Sequence, residues 1–550
     1  MGGCVRLGLC WTTHHSVMIG SSVIRYFYQL NYKLRTRLPP LTAEHTDRAE
    51  LAIAAHGPRL AMDPTLTRDT IELILSYLSA VDLCRALPTC QLVLDAGSVA
   101  AGLRARDLGL PLPPARPGES LTKRLRFVEL AARRPTKVAA GFTHSLAVDP
   151  ASGRCFSWGG GTAQDKPEKL QHVVPLHHLG HGISEGSAVL MPTPVVGLES
   201  VAIKEVAAAM DQCALLTTGG RIMTWGSNMC GALGQGDFEP RSSPTSVNAL
   251  ADLRMTQVTC GCGHMLALTA GGKAYSWGSA DSGQLGIGSA ARFDFYGNGK
   301  CDHTPRRVAL ASEVLIHVSA GGAHNLAINT SGDLFSWGSG IMGELGLGDG
   351  KSRLVPTIVR ALSGNRVVHA SAGDSHSLAA DEAGAAYSWG QSGYGKLGHG
   401  MARFLESEDT GKRYELLPYC LLRRTEVFDG QRPSQLTPQT RVVRVIAGSQ
   451  HSVLITEKGD MLTFGWQKAI GHGSGCGNEF EPICVHMQTA SVNGTVPIVV
   501  TTGSAGTHQT IVQTAANKLL IFGGGEFGPL CTGTLDPAPS RPTELHLLED

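Results

Sequence analysis

Short runs of alternating apolar and polar residues recur throughout the last three quarters of the chain. In the run 334–337, Phe335 and Trp337 point one way and Ser336 the other, because successive side chains of a strand alternate. This period of two predicts half-buried β-strands rather than helices. Glycines interrupt the runs, so each strand is expected to be short.

The stretch around this strand is repeated along the chain. Most copies place a glycine three residues before a histidine, followed by an apolar run, an aromatic-glycine pair and a Gly-x-Leu-Gly sequence. Seven copies are recognisable, at residues 140–159, 207–236, 262–288, 318–348, 372–400, 447–465 and 501–524. A unit of about four short strands cannot bury its own apolar face, whereas seven units arranged radially can. The sequence therefore predicts a mainly β fold, a seven-bladed β-propeller over residues 137–550. A strand within residues 542–548 is expected to complete the last blade.

The repeated residues are interpreted as structural. Five histidines occupy tight Gly-x-x-His turns, where the ring can bond neighbouring backbone, and one per blade cannot converge on a metal. Five tryptophans are expected to pack between blades, and the glycines to supply turns with positive φ. These histidines and tryptophans are His144, His264, His324, His376, His451, Trp158, Trp225, Trp277, Trp337 and Trp389.

The ordered glycine, histidine, aromatic-glycine and Gly-x-Leu-Gly pattern resembles the repeats of the regulator of chromosome condensation family. The resemblance covers about three quarters of the chain and implies the propeller fold. Members of that family include an exchange factor for the GTPase Ran, a plant ultraviolet-B photoreceptor, ciliary proteins and ubiquitin-ligase subunits. A photoreceptor role is not expected here, because Gly465-Trp466-Gln467-Lys468 is the only Gly-Trp sequence.

A helical segment precedes the repeats. Ile71, Ile74, Leu75 and Leu78 fall at i, i+3, i+4 and i+7, one stripe of an amphipathic helix. Residues 62–110 resemble an F-box, the helical module that docks onto the Skp adaptor of cullin-based ubiquitin ligases. The resemblance implies adaptor contacts through Leu66, Ile71, Leu75, Leu78 and Leu83. The alternative is a small helical cap that packs on the propeller.

The remaining N-terminal segments are a leader and a connector. Residues 1–61 are expected to be a disordered leader, and residues 111–136 a proline-rich connector with a helix over 123–134. Residues 1–43 hold no Asp or Glu among several Arg and Lys, a composition typical of transit peptides. The predicted order is therefore a small all-α module followed by the propeller.

Composition limits the function classes. The net charge of +1 gives no global field that would recruit nucleic acid. No run of 18 apolar residues occurs, so no membrane span is expected. The 14 cysteines show no paired framework, which favours a reducing compartment, the cytoplasm or nucleus, with the mitochondrion as the alternative. No cofactor, metal or catalytic motif is found, so no enzyme activity is predicted.

Insertions within the repeats are the candidate partner-binding loops, because loops on a rigid scaffold carry function. Residues 165–192 hold four histidines, His172, His177, His178 and His181, which we interpret as a solvated loop rather than a metal site. The other insertions are residues 292–303 and 401–440. Their candidate contact residues are Phe293, Phe295, Tyr296, Glu406, Glu408, Asp409, Arg413 and Tyr414.

Two functions fit these features. The first is a protein-interaction scaffold, a substrate receptor of a Skp–cullin–F-box ligase whose propeller binds the target. The second is a guanine-nucleotide exchange factor or regulator of a small Ran-like GTPase. Both require protein partners, a Skp-family adaptor and a target or a GTPase, and neither requires a cofactor or metal.

The propeller should fold without the residues that precede it, because all seven copies lie within 137–550. Residues 137–550 expressed alone are expected to be soluble and to unfold cooperatively, as followed by circular dichroism during heating. An insoluble fragment beside a well-behaved full chain would show that the boundary is wrong.

Overall fold

The computed structural model describes most of the C-terminal 440 residues. The described residues are 105, 110–116, 119–132, 135–160, 174–175, 177–182, 185–186, 189–288, 294–296, 299–310, 312–400, 414–421, 436–437, 439–473, 477–485, 487–491, 494–524, 541–545 and 547. The leader and nearly all of the F-box-like segment lie outside them. The chain divides into two compact units, residues 1–129 and 130–550.

One helix is described ahead of the strands. Helix α1, Leu121–Ala131, begins two residues before the predicted helix and ends three before it. Ser120 caps its start, since its hydroxyl accepts a hydrogen bond from the Lys123 amide at 3.3 Å. Arg124 donates from Nε to the Pro113 carbonyl at 2.8 Å, which ties the helix to the proline-rich segment before it. No helix among the described residues has the length and apolar character needed to span a membrane.

Seven antiparallel sheets of four consecutive strands follow, which confirms the seven-bladed propeller. Within each blade the strands pair in chain order. Blade 1 consists of Val138–Ala140, His144–Val148, Cys155–Gly159 and Val189–Pro194. Blade 2 consists of Ile203–Ala209, Gln212–Thr217, Ile222–Gly226 and Arg241–Ser246. Blade 3 consists of Met255–Cys260, His264–Thr269, Ala274–Ser279 and Gly299–Arg307. Blades 4 and 5 are Leu315–Ala320, His324–Asn329, Leu334–Gly338 and Arg353–Ile358; and Val367–Ala372, His376–Asp381, Ala386–Gln391 and Tyr414–Cys420. Blades 6 and 7 are Val442–Ala447, His451–Thr456, Met461–Gly465 and Glu479–Cys484; and Val500–Ala505, Gln509–Thr514, Leu519–Gly523 and Thr543–Leu545.

Further short strands decorate this frame. Asp294–Tyr296 adds a fifth strand to blade 3. Two separate hairpins pair Val174–Pro175 with Glu185–Gly186 and Gln488–Ser491 with Gly494–Pro497. The last strand, Thr543–Leu545, pairs with Leu519 to Ile521. The predicted terminal strand is therefore confirmed, and blade 7 is built entirely from the C-terminal part of the chain.

The middle strands are buried on both faces, so the prediction of half-buried strands is wrong for them. Every residue of Leu334–Gly338 is buried, including Ser336. The reason is that the neighbouring blades cover a blade on both sides. Ser336 remains satisfied because its hydroxyl donates to the Leu345 carbonyl at 2.7 Å.

Equivalent hydrogen bonds join each blade to the next across the interfaces between adjacent blades, here called seams, as the seam between blades 4 and 5 shows. The Trp389 indole donates to the Glu344 carbonyl at 2.9 Å, and the Ser377 hydroxyl donates to the same oxygen at 2.8 Å. His324 Nε2 lies 2.8 Å from that hydroxyl. Because the hydroxyl proton goes to Glu344, the serine oxygen accepts from the Nε2–H of a neutral imidazole. The histidine and tryptophan therefore belong to the seams, and the histidine bonds the next blade rather than neighbouring backbone.

The same arrangement recurs at the other seams. Trp225, Trp277 and Trp337 donate to the carbonyls of His178, Ala232 and Gln284. The histidine partners on the next blade are Cys213 for His144, Asn325 for His264, Ser452 for His376 and Thr510 for His451. Trp158 is fully buried in a cluster with residues of blade 7. Phe464 and Phe522 occupy the tryptophan position in blades 6 and 7.

Glycines are required in these turns for two different reasons. In Gly-x-Leu-Gly the last glycine has positive φ, 69° at Gly346, and a Cβ there would lie 2.8 Å from the Trp389 indole nitrogen. In Gly-x-x-His the glycine has no positive φ. A Cβ on Gly321 would instead lie 2.3 Å from the Gly373 carbonyl oxygen of the next blade. The prediction of positive φ therefore holds for the first motif and is wrong for the second.

Replacement of Gly321 by Ala should destabilise the propeller. The added carbon meets backbone of the next blade, so the seam must shift, at a cost on the order of 1–3 kcal/mol. Gly271→Ala is the matched control, because its Cβ would meet nothing closer than 3.8 Å and its φ is not positive. Chemical denaturation of both variants measures the difference. Equal free energies of unfolding for the two variants would show that the close approach of blades 4 and 5 does not restrict position 321 to glycine.

Acid should weaken the seams, because burial lowers the pKa of His324 and His451 to about 3 and of His264 to about 4. The unfolded chain takes up these protons near pH 6.5, so the folded state loses stability as pH falls below that value. Each histidine contributes about 1.4 kcal/mol per pH unit until its folded pKa is reached.

His324→Gln tests this origin, since glutamine occupies the histidine position in blades 2 and 7, at Gln212 and Gln509. The variant should lose less stability than the wild type between pH 6.5 and pH 5, by about 1–2 kcal/mol. Denaturation curves at both pH values measure the change. Identical pH dependence in the two proteins would contradict the assignment.

Candidate interaction face

Strand order gives the propeller two unlike faces. The turns between first and second strands and the connections between third and fourth strands leave each antiparallel blade at the same end. The turns from second to third strands and the connections between blades leave at the other end. The first end collects both repeated motifs, Gly-x-x-His and Gly-x-Leu-Gly. We call it the motif face.

The seven innermost strands line a central channel that contains a cavity of about 330 Å³. Small side chains dominate its wall. Neighbouring innermost strands are joined where a hydroxyl accepts a backbone amide, as Ser371 does from Ala447 and Ser504 does from Ala140, both at 3.0 Å. The seven Gly-x-x-His turns, or their equivalents, surround the channel mouth on the motif face.

Backbone hydrogen bonds link these turns into a nearly closed ring. Amides of Cys262, Gly322, Asp374, Ser449 and Thr507 donate to the turn glycine of the next blade. Phe142 donates instead to Met210 at 3.3 Å. Blade 2 carries Ala209 in place of the glycine, and no such bond from Met210 to blade 3 is seen in the described part of the chain. A Cβ at this position cannot approach the next blade as closely, which explains the shift.

Exposed apolar side chains are concentrated on the motif face. Six large ones belong to its turns and connections: Phe142, Met210, Met229, Ile341, Met342 and Tyr394. The opposite face exposes three valines, Val196, Val314 and Val499. Methionine and aromatic side chains are enriched in protein-binding surfaces, where they supply large contact area. The motif face is therefore the apolar one among the described residues.

Four rings from blades 5, 6, 7 and 1 form a continuous arc beside the channel mouth. The ring of Tyr394 lies 6.5 Å from that of Trp466, which lies 4.9 Å from His508. The His508 ring is 6.3 Å from Phe142. Lys468 places its ammonium 5.5 Å from the Trp466 ring, a cation–π contact. We call Tyr394, Trp466, His508 and Phe142 the aromatic arc.

A buried lysine, Lys396, forms a hydrogen-bond network at the seam that carries two rings of the arc. Lys396 Nζ donates to Gln391 Oε1 at 2.7 Å and to Gln450 Oε1 at 3.1 Å. It also contacts the Ser375 hydroxyl and the Ser449 carbonyl, both at 3.2 Å. Burial lowers the pKa of Lys396 to about 8, against the opposing attraction of the Asp374 carboxylate. The ammonium thus joins the turns of blades 5 and 6, close in the chain to Tyr394 and bonded to Gln450, whose carbonyl accepts the Trp466 amide.

The structure describes few of the residues predicted from sequence as contacts. The adaptor candidates Leu66, Ile71, Leu75, Leu78 and Leu83 lie outside the described residues, as do Phe293, Glu406, Glu408, Asp409 and Arg413. The backbone of Phe295 and Tyr296 forms the extra strand of blade 3. Tyr414 begins the fourth strand of blade 5 and pairs with Gln391. These positions remain predictions.

Two of the predicted insertions are partly strand. Tyr414–Cys420 lies inside the predicted loop 401–440 and forms the outer strand of blade 5. The strand therefore divides the predicted loop into two parts, residues 401–413 and 421–440. Likewise Gly299–Arg307 includes the end of the predicted loop 292–303. The interpretation of each as one loop is wrong, because strands in the outer part of a blade carry little apolar periodicity.

The histidine-rich insertion of blade 1 holds a structural residue. His178 is buried, and its carbonyl accepts the Trp225 indole of blade 2 at 3.0 Å. His181 Nε2 lies 2.8 Å from the Ser157 hydroxyl. The expectation of a solvated loop is therefore wrong for His178. His172 lies outside the described residues, and no three His, Cys, Asp or Glu side chains within the described ranges form a metal site.

Sequence reasoning missed the aromatic arc. Its members occupy variable positions of the motifs, immediately after the turn glycine at Phe142 and within the aromatic-glycine connection at Tyr394 and Trp466. The available signal was an aromatic ring at positions that other blades fill with non-aromatic residues: Met, Cys, Gly, Asp, Ser or Thr in place of Phe142, and Cys, Ser or Met in place of Tyr394. Recognising it requires knowing that both positions face the same end of the channel.

Comparisons with known proteins agree with this architecture. The family model of the RCC1-like domain matches residues 101–374, and models of the regulator of chromosome condensation (RCC1) repeat match residues 367–396 and 383–455. The ultraviolet-B receptor UVR8 of Arabidopsis thaliana is 30% identical over 403 residues, 73% of this chain and 79% of the receptor. The human E3 ubiquitin-protein ligase HERC2 is 30% identical over 381 residues, 68% of this chain but 7% of HERC2.

Solved structures show the same fold. Prp20p of Saccharomyces cerevisiae superposes with a TM-score of 0.53 at 20% identity, over 74% of this chain and 86% of that chain. Human WBSCR16 superposes with a TM-score of 0.54 at 20% identity, over 66% of this chain and 86% of that chain.

Proposed function

The chain belongs to the family of RCC1-repeat propellers, and on this premise we propose that it acts by binding protein partners on its motif face. The observation that carries the proposal is the concentration of exposed Met, Ile, Phe and Tyr side chains on that face. Exposed apolar patches on a rigid scaffold mark sites of protein association. The hydrogen-bonded ring at the channel mouth fixes the backbone of the turns that carry Phe142 and Met210, which lowers the ordering cost of binding.

Within this role, the finer proposal is a substrate receptor of a Skp–cullin–F-box ubiquitin ligase. The F-box-like residues 62–110 support it, and so does the similarity to a segment of the ubiquitin ligase HERC2. The propeller would hold the target while the F-box-like segment holds the adaptor. Such a receptor acts by proximity and orientation of the target lysine.

The second candidate is regulation of a small GTPase by nucleotide exchange. The resemblance to the exchange factor for Ran supports it, and the motif face offers a broad surface to a folded domain. Prp20p, described together with its binding to Gsp1p and histones, shares the fold. Exchange requires no chemistry from the propeller, because its loops only need to displace groups that hold the nucleotide.

We place the protein in the cytoplasm or nucleus. Every cysteine in the described ranges is a free thiol, including the exposed Cys262. Unpaired thiols are typical of reducing compartments.

Adaptor binding decides between the two candidates. The full chain should capture a Skp-family adaptor, and Leu66→Asp or Leu83→Asp should abolish capture, because a charge at a buried anchor removes most of the binding energy. Trp466→Ala is the control variant, since it alters the motif face and should retain the adaptor. Melting curves of all variants show whether the propeller is intact.

Failure of the wild-type chain to capture the adaptor, together with faster nucleotide release from a Ran-like GTPase, would overturn the ligase proposal in favour of the second candidate. A lower melting temperature in the Leu66 and Leu83 variants, without adaptor capture by the wild type, would identify the segment as a structural cap.

A further inference from the structure

We infer that the aromatic arc, together with Asp374 at the channel mouth, is the primary contact for a partner segment that presents an apolar anchor beside lysine or arginine side chains. This inference rests on the proposed function, because it specifies the chemistry of the partner that the motif face binds. Three observations carry it: the continuity of the rings, the rigidity of their support and the charge of the channel mouth.

The arc provides one uninterrupted apolar surface across four blades. Consecutive ring centroids are between 4.9 and 6.5 Å apart from Tyr394 to Phe142. Tyr394 is 48% exposed and Phe142 42%, while Trp466 and His508 are half-buried. Partly buried aromatic rings beside exposed ones form the anchors that dominate protein interfaces. A single helix or extended segment can therefore contact the entire arc.

The hydrogen-bond network of Lys396 at the seam of Tyr394 and Trp466 is formed before a partner binds. The Lys396 ammonium has four acceptors, in the turns and strands of blades 5 and 6. The equivalent residues of blades 2, 3 and 4 are Ala232, Gln284 and Glu344, so the ammonium clamp is specific to the seam that carries Tyr394 and Trp466. A preorganised surface loses little side-chain entropy on binding.

The turn that presents Tyr394 is itself fixed by geometry. Tyr394 has a φ of 59°, in the left-handed region that bulky residues rarely occupy. Cys230 has a φ of 58° in the equivalent turn of blade 2, whereas Ser282 and Met342 at this position of blades 3 and 4 have no positive φ, so blades 2 and 5 share a turn conformation that does not depend on tyrosine. Blade 5 therefore places a large ring at a position whose backbone holds it outward.

The turns at the channel mouth beside the arc are acidic, while the ammonium groups of Lys396, buried and attracted by Asp374, and of Lys468, against the Trp466 ring, lie outside these turns. The seven turns around the mouth, residues 141–143, 209–211, 261–263, 321–323, 373–375, 448–450 and 506–508, contain two carboxylates and no lysine or arginine. Asp211 and Asp374 are both exposed. Ser375, next to Asp374, contacts the Lys396 ammonium, so this carboxylate lies at the same seam as the arc. A basic side chain next to the apolar anchor would complement it.

The same charges argue against a second copy of this chain as the occupant. A symmetric dimer through the arc would bring Asp374 and Asp211 of both copies to one interface. Like charges at an interface cost free energy unless each is paired. A partner with basic side chains therefore fits this surface better than self-association does.

Two fluorescent peptides that share one Leu- and Trp-containing core, flanked by Lys and Arg in one and by Glu in the other, test the inference on the full chain. Fluorescence anisotropy should show the basic peptide binding at least about tenfold more tightly than its acidic twin. Tyr394→Ala with Phe142→Ala should weaken the basic peptide by about tenfold or more. Asp374→Lys should remove the preference for the basic peptide over the acidic one.

Leu417→Ala is the matched control, because Leu417 is an exposed apolar residue on the outer strand of blade 5. It should leave both affinities unchanged, and melting curves should show all variants folded. Equal binding of the twins, lost in the arc variant, would overturn the basic preference while retaining docking on the motif face. Peptide binding that the arc variant leaves unchanged would count against both the basic preference and docking on the aromatic arc. Absence of binding, or dimerisation of the chain that the arc variant abolishes, would overturn the inference.

Discussion

Adjacent blades approach each other so closely at the Gly-x-x-His turns that no side-chain carbon fits between them, and the rest of the propeller depends on this approach. Once a Cβ is excluded at Gly321, the Gly322 amide reaches the Gly373 carbonyl at 2.9 Å. The histidine then reaches a polar side chain of the next blade, and the tryptophan behind it reaches a carbonyl. Each contact uses the proximity created by the first, which is why the motif residues recur together. Blade 2 shows the same requirement, because Ala209 replaces the glycine there and the Phe142 amide donates to the Met210 carbonyl instead.

The parts of the fold that could be predicted from sequence are those fixed by this periodic requirement. Blade number, the tryptophans between blades and the terminal strand at Thr543–Leu545 all follow from repetition. Burial on both faces could not be predicted from one strand, because the second covering layer comes from residues about 50 positions away, as Gln284 and Trp337 illustrate. Outer strands such as Tyr414–Cys420 were missed for a different reason: their side chains are mostly half-buried without alternation, and one edge of the strand is unpaired, so no periodic pattern is imposed.

The candidate face could be predicted only in part, for a related reason. Motif residues are determined by the seams, so the positions free to vary are the turn tips between them. Phe142 and Tyr394 stand at two such tips from different motif positions, in blades 1 and 5, and only the closed ring brings them to the same mouth. The insertions are more conspicuous in the sequence than these single positions. Lys396 occupies a motif position and also contributes to the candidate face. Other blades fill this position with uncharged or acidic residues, whereas here the ammonium stabilises the seam that carries Tyr394 and Trp466.

Among the described strands, no blade combines strands from both ends of the chain, so closure of the ring depends on the seam between blades 7 and 1. Gln509 replaces the histidine of blade 7 and donates to the carbonyls of Gly141 and His144, both at 3.1 Å. Behind it, Trp158 and Phe156 of blade 1 pack against Ile511 and Leu545 of blade 7. These contacts act without covalent continuity, so opening here costs only their own free energy. The aromatic arc crosses this same seam from His508 to Phe142. A partner seated on the arc therefore contacts both sides of the point where the ring closes, and binding and closure stabilise each other.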